Sequence, residues 1–277
     1  MALTVNTNIA SMNAFTNLSQ TTRDLTGSFG RISSGLRITK AADDAAGLGV
    51  AENLDAIEIS ARQAMRNTND GISMVQTAEG ATNEVANILK RMRELAVQSA
   101  SETLASTERA YASTELVALQ DEIDRIAQVT EFNGILLSEG TNTQLNVQVG
   151  VMNAASGQDR ILVTFGDLRS TILAIDSGSI NFNSATNAFN AIDDLDAALD
   201  TLNNYRSNLG ASQNRLDSSL RNMENYTENL ASAQSQIRDA DFAWETAELS
   251  KSQIMQQAGT SILAQANQIN QGALSLL

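Results

Sequence analysis

The sequence predicts a mainly α fold, a long antiparallel coiled-coil-like helical bundle with one small β-hairpin. Three observations carry this. Leu195, Leu202, Leu209, Leu216, Met223, Leu230 and Ile237 recur every seven residues, a repeat that keeps one apolar seam on one side of a helix. The 277 residues include no Pro, where average usage of about 5% would supply roughly fourteen, and Pro is the residue that breaks helix interiors. Aromatic residues are only 4%, enough for seams of Leu, Ile, Met and Ala but few for a thick globular core.

In chain order, Met12, Phe15, Leu18, Leu25, Phe29, Ile32 and Leu36 step by three, four and seven and define one face of a first helix. Residues 42–50, ADDAAGLGV, are small and Gly-rich and read as an irregular connector. A long helical pattern follows through Leu54, Ile57, Ala61, Met65, Ile72, Val75, Val85, Leu89, Met92 and Ala96, within a span of about 43–100. Ser99–Ser106 lacks an apolar period and reads as a turn. Ala112, Leu116, Leu119, Ile123 and Ile126 mark a third helix, about 104–131, with Asn133-Gly134 as its stop because both residues tolerate positive φ. The period then becomes two. Leu145, Val147, Val149 and Val151, and then Ile161, Val163 and Phe165, alternate with polar residues across NAASGQD, which predicts a β-hairpin over about 143–166. The Ser/Asn/Gly-rich stretch 167–187 reads as a surface excursion, and the heptad helix spans about 188–237. At about 1.5 Å per residue the two long helices would extend roughly 64 and 75 Å, lengths suited to antiparallel pairing. Ile254, Ala258, Ile262, Ile269, Ala273 and Leu276 continue a last helix.

Charge and composition exclude whole classes of function. Lys+Arg number 18 against 32 Asp+Glu, a net charge of −14, which is unsuited to gripping nucleic-acid phosphates. The absence of Cys and His removes disulfides, thiolate zinc sites and His-based acid–base or nucleophilic catalysis. No cofactor or metal is expected. The Asp193, Asp194, Asp196, Asp200 cluster lacks the Gly-containing calcium loop and reads as a solvated helix face. Every charged side chain lies between Arg23 and Lys251. The two ends are uncharged, yet Asn, Gln, Ser and Thr interrupt their apolar residues. Neither has the roughly 20 apolar residues of a membrane span, and the N-terminus lacks the basic and apolar regions of a cleaved signal peptide. Helices of this kind are marginal alone. The ends are therefore expected to pair with each other and with further copies of the chain, where like charges would be costly.

The blocks RISSGLRITKAADDAAGLGVAENL (31–54), RMRELAVQSA (91–100), FNG (132–134), IRDADFA (237–243), LSKSQIMQQAGTSILAQAN (249–267) and LSLL (274–277) resemble bacterial flagellin. The match covers roughly 1–140 and 187–277. Trp244, within DFAWETAEL, stands where family members often carry smaller or charged residues.

The resemblance implies a structural subunit, not an enzyme, that polymerises into the flagellar filament. An inner domain, D0, would be built from 1–40 and 250–277. A rod, D1, would span 41–249, and the outer domains would be missing. It further implies type III export without a cleaved signal, an extracellular location, and as partners further copies of the chain, an export chaperone, the filament cap and the hook–filament junction proteins. No nucleic acid or membrane insertion is implied.

Phe15, Leu18, Leu25, Phe29 and Ile32 are the N-terminal core candidates. Ile254, Ile262, Ile269, Leu274, Leu276 and Leu277 are candidates for the polymer core and a chaperone groove. Ile32, Leu36, Gly47 and Gly49 lie where a hinge between core and rod would sit, and a plain turn fits them equally. Arg91, Leu95 and Glu115 match positions that in some flagellins touch a Toll-like receptor, with inter-subunit packing as the alternative role. Ser177, Ser179, Ser184 and Thr186 are candidate glycosylation sites. Two rival readings share parts of the pattern: a low-copy hook–filament junction protein and a coiled-coil signalling rod.

Overall fold

The structure, a computed structural model, describes residues 7–152 and 157–274, with side chains described as far as Gln268. In chain order it runs α1 (Ile9–Ser34), α2 (Ala45–Ser99), α3 (Ser106–Val129), β1 (Glu131–Phe132), β2 (Ile135–Leu136), β3 (Gln144–Gln148), β4 (Arg160–Thr164), α4 (Ala185–Arg238) and α5 (Phe242–Leu274). The chain forms two compact units, one of Met1–Glu58 with Glu228–Leu277 and one of Ile59–Thr227.

The central unit, Ile59–Thr227, is built around large apolar side chains. Leu195, Leu202, Leu209 and Leu216 of the heptad row are fully buried, and Met223 is half-buried. One cluster joins Val85, Leu89 and Met92 of α2 to Leu116 and Ile123 of α3 and Leu195 and Leu202 of α4. A second joins Met74 and Val75 to Val147, Ile161, Val163, Leu209 and Leu216. Burying each such side chain contributes about 1.5–3 kcal/mol before entropy is counted.

Polar contacts confirm that α2 and α4 run antiparallel. Thr227 lies against Met65 Sδ, while Arg93 holds Asp196 with two bonds of 2.6 and 3.0 Å. At the α2–α3 turn Arg109 donates to the carbonyls of Ser99 and Ser101, and Glu108 accepts from the N–H of Ala105.

The predicted hairpin is β3–β4, paired Leu145↔Val163 and Val147↔Ile161. These facing residues point inward, while Gln144, Asn146 and Arg160 are exposed, as a half-buried pleat requires. Gly71 of α2 lets the hairpin come close: a Cβ there would meet both Val147 methyls at 3.0 Å.

Three expectations change. Residues 167–187 are not a surface excursion, because Leu168, Leu173, Ile175, Ile180 and Phe182 are buried and belong to the first cluster. Gln120 donates to the Ile175 carbonyl at 2.6 Å, and Asp124 accepts from the backbone N–H and hydroxyl of Ser170, so polar bonds tie this irregular segment to α3. The connector at 42–50 is short, since α2 begins at Ala45; Asp44 accepts from the Gly47 N–H at 2.9 Å and caps the helix start. Asn133 and Gly134 do have positive φ, 50° and 77°, but they form the turn between β1 and β2, and α3 has already ended at Val129.

In the other unit α1 packs along α5. Asn8 caps α1 by accepting from the Ser11 N–H and donates across to the Ala266 carbonyl, 3.0 Å each. Gly35 ends α1 in the left-handed conformation, φ 72°, which Gly adopts without a Cβ penalty. Leu36 bridges Asp239, and backbone bonds join Arg37 to Arg238 and Ala240 to Gly35. No helix among the described residues is long and apolar enough to cross a membrane.

Candidate assembly surface

The α1–α5 pair inverts the packing rule of the central unit. Its buried positions on α1 are Ala14, Thr21 and Ser28, seven residues apart. On α5 they are Glu245, Ser252 and Ala266, with half-buried Gly259 completing the same step. Leu18 rests on Gly259, 3.3 Å from where a Cβ would lie. Small residues let the two backbones approach closely, but they bury little apolar area, so the seam orients the helices more than it stabilises them. One charge pair closes it: Arg31 donates to the carboxylate of Glu245, which is 2% exposed.

Several large apolar residues project away from this seam. Phe15 is 66% exposed and Ile262 58%. Ile9, Met12, Phe29, Ile254 and Met255 are also exposed, as is Trp244. Met12, Phe15 and Leu263 line a shallow groove of about 310 Å³. Exposed apolar surface of this kind, rich in Met and aromatics, marks an interaction site. On the sequence stretches before Arg23 and after Lys251 it carries no charge.

The predicted site residues therefore separate. Leu18, Leu25 and Ile32 are half-buried beside the small-residue seam, while Phe15 and Phe29 project away from it. Ile254 and Ile262 also project outward. Ile269 and Leu274 fall on the described backbone of α5, but their side chains, and Leu276 and Leu277 entirely, lie outside the described residues. Of the hinge candidates Gly47 and Gly49 are inside α2, while Leu36 belongs to the bridge with Asp239.

Arg91 and Glu115 do meet, at 2.9 Å, and Glu94 is a second partner of Arg91. The hydrogen bond that Arg91 donates to Glu115, then the one it donates to Glu94, raises the guanidinium pKa. Leu95 is 3% exposed and packs in the core, so it adds nothing to that surface. Its one-turn spacing from Arg91 placed it near the pair, but not on the same exposed strip. Ser177, Ser179, Ser184 and Thr186 are all exposed. In the acidic cluster Asp196 is taken by Arg93, whose hydrogen bond holds its carboxyl below the ordinary 3.8.

Sequence reasoning missed the small-residue seam because it followed large apolar residues. The signal was present as a second seven-residue row: Ala14, Thr21, Ser28 on one end and Ser252, Gly259, Ala266 on the other.

Comparison with known proteins is consistent across both ends. Residues 5–143 match the bacterial flagellin N-terminal helical region, and residues 192–277 match the bacterial flagellin C-terminal helical region. The flagellin of Halalkalibacterium halodurans is 42% identical over 274 residues, covering 99% of both chains. A flagellin of Xenorhabdus nematophila is 40% identical over 316 residues, covering 100% of both. The flagellar filament 33 kDa core protein of Treponema phagedenis is 36% identical with 99% coverage of each. Among solved structures, a putative flagellar hook-associated protein from Vibrio parahaemolyticus aligns over 71% of this chain and 100% of its own with TM-score 0.59 and 16% identity, a likeness of fold.

Proposed function

The chain belongs to the bacterial flagellin family and is a structural subunit of the extracellular flagellar filament; from that premise we propose that polymerisation runs through the apolar row left outside the α1–α5 seam. The observation that carries this is the exposure of Phe15, Ile254 and Ile262 on the stretches before Arg23 and after Lys251 that carry no charge, with Phe29 exposed farther along α1. In a filament these side chains gain by contact with other copies what the single chain denies them, on the order of 1.5–3 kcal/mol for each one fully buried. Charge-free flanks let many copies crowd together without the repulsion that a net −14 would otherwise impose.

In this reading residues 1–40 and 250–277 build the inner filament core, and 41–249 form the surrounding rod. The subunit leaves the cell through the flagellar export channel. Before assembly, Leu274, Leu276 and Leu277 dock in an apolar groove of an export chaperone, and growth takes place beside the cap on a base of junction proteins. Ser177, Ser179, Ser184 and Thr186, all exposed, are the positions at which a glycan would be tolerated. Arg91 and Glu115 offer a polar contact to a neighbouring subunit or to an innate immune receptor, without Leu95.

The test is extension of short filament seeds by purified monomer, followed by electron microscopy. Wild-type chain is expected to lengthen seeds, and Phe15→Ser with Ile262→Ser is expected to prevent lengthening while the monomer keeps its helix content. Failure of wild-type monomer to extend seeds would contradict the proposal.

A further inference from the structure

Within the unit that holds α1, the second half of that helix and the connector after it border an open groove of about 580 Å³, lined in part by Arg23, Gly27, Gly30, Arg31, Lys40 and Asp43. We propose that this groove receives the acidic head of α4 from a second copy of the chain. The proposal rests on the filament reading above and names one contact within it.

The polar groups of the groove can be accounted for one by one. Thr22 and Thr26 give their hydroxyl protons to carbonyls of their own helix, those of Leu18 and Thr22. Thr39 gives its hydroxyl proton and its N–H to Asp43, and Lys40 gives its N–H to the same carboxylate, 3.0 Å each. These bonds, that from the Thr39 backbone first, hold Asp43 ionised and engaged with its own loop. Arg31 is committed to Glu245.

Two cations then remain available. Arg23 bonds to the neutral amide of Gln20 at 2.8 Å, and the Lys40 ammonium has no ion-pair partner among the described residues. The floor is bare. Nothing lies within 4 Å of a Cβ built at Gly30, and the nearest atom to one at Gly27 is Arg31 Nη1 at 3.7 Å. An approaching helix can therefore reach the backbone of α1 between two cations that hold no salt bridge among the described residues, Lys40 feeling only the nearby field of Asp43, an arrangement suited to carboxylates.

The chain supplies a matching partner. Asp193, Asp194, Asp196 and Asp200 fall in the first third of α4, with no Lys or Arg from Ala185 to Tyr205. Arg93 neutralises Asp196. Asp193, Asp194 and Asp200 are exposed and without an ion pair among the described residues. Asp193 and Asp200 lie seven residues apart, so they share a face and are separated by about 10 Å along the helix. Unpaired carboxylates on one copy thus complement unpaired cations on another, in a chain whose surface is otherwise strongly acidic.

The test is charge reversal in seeded filament growth, with the critical monomer concentration as readout. One variant carries Arg23→Glu and Lys40→Glu, a second Asp193→Lys, Asp194→Lys and Asp200→Lys, and a third carries all five. Each one-sided reversal is expected to raise the critical concentration about tenfold at low salt, with the gap shrinking as added salt screens it. The five-fold variant is expected to recover to within about threefold of wild type, a recovery that misfolding cannot produce. Unchanged growth by the one-sided variants, or a five-fold variant no better than the worse parent, would overturn the contact. Wild-type chain that fails to extend seeds at any salt would instead overturn the filament reading and this contact with it.

Discussion

The two compact units use the same seven-residue spacing for opposite ends. In the central unit the row holds Leu195, Leu202, Leu209 and Leu216, all buried. In the α1–α5 pair it holds Ala14, Thr21 and Ser28 against Ser252, Gly259 and Ala266, and Phe15, Phe29, Ile254 and Ile262 face outward. Spacing sets which residues share a helix face; side-chain size sets whether that face stabilises the single chain. The central unit buries its large apolar residues within the chain, whereas the terminal pair leaves Phe15, Phe29, Ile254 and Ile262 exposed, to be buried in the assembly proposed above.

The largest test of this contrast is Leu202→Ala. It opens a cavity in a fully packed cluster and is expected to destabilise the monomer by about 2–5 kcal/mol, read as a lowered denaturant midpoint. The matching change in the other unit, Ile262→Ala, is expected to leave the monomer midpoint within about 0.5 kcal/mol of wild type. If the two variants shift the monomer equally, the contrast is broken.

Enlarging the small seam should act next in size. Gly259→Leu drives a side chain into Leu18, and overpacking of this kind costs about 1–3 kcal/mol, visible as lost helix signal from the terminal pair while the central unit melts as before.

The smallest expected effect concerns pH. Asp196 has its pKa lowered by Arg93, so its contribution is present above the ordinary value near 3.8 and disappears as pH falls through the lowered one. Asp196→Asn should therefore remove a small part of the acid sensitivity of the monomer, with no change at neutral pH slope. An unchanged acid limb in a stability titration would show that the pair contributes nothing.

The helices and the hairpin were legible because their periods of seven and two are regular and mostly filled by Leu, Ile and Val. Residues 167–187 were not, because Leu168, Leu173, Ile175, Ile180 and Phe182 step by five and two, which is neither the three–four step of a helix nor the alternation of a strand. Their burial depends on long-range bonds such as Gln120 to the Ile175 carbonyl. The assembly surface was half legible. Phe15, Phe29, Ile254 and Ile262 stood out as an apolar face, but nothing in their spacing says whether the partner is α1, α5 or another copy. The structure gives the intramolecular seam to Ala, Ser, Thr and Gly and leaves these four side chains exposed. Leu95 failed for a related reason, since two residues four apart share a helix side while one reaches solvent and the other the core.

Hydrogen exchange on monomer and filament, read by mass spectrometry over peptides from α1, α5 and residues 85–96, tests the central contrast most directly. Amide protection reports local stability. Residues 85–96 are expected to be protected in both states, while α1 and α5 exchange readily in the monomer and become protected in the filament. Terminal helices already as protected in the monomer as 85–96, with no further gain on assembly, would contradict it.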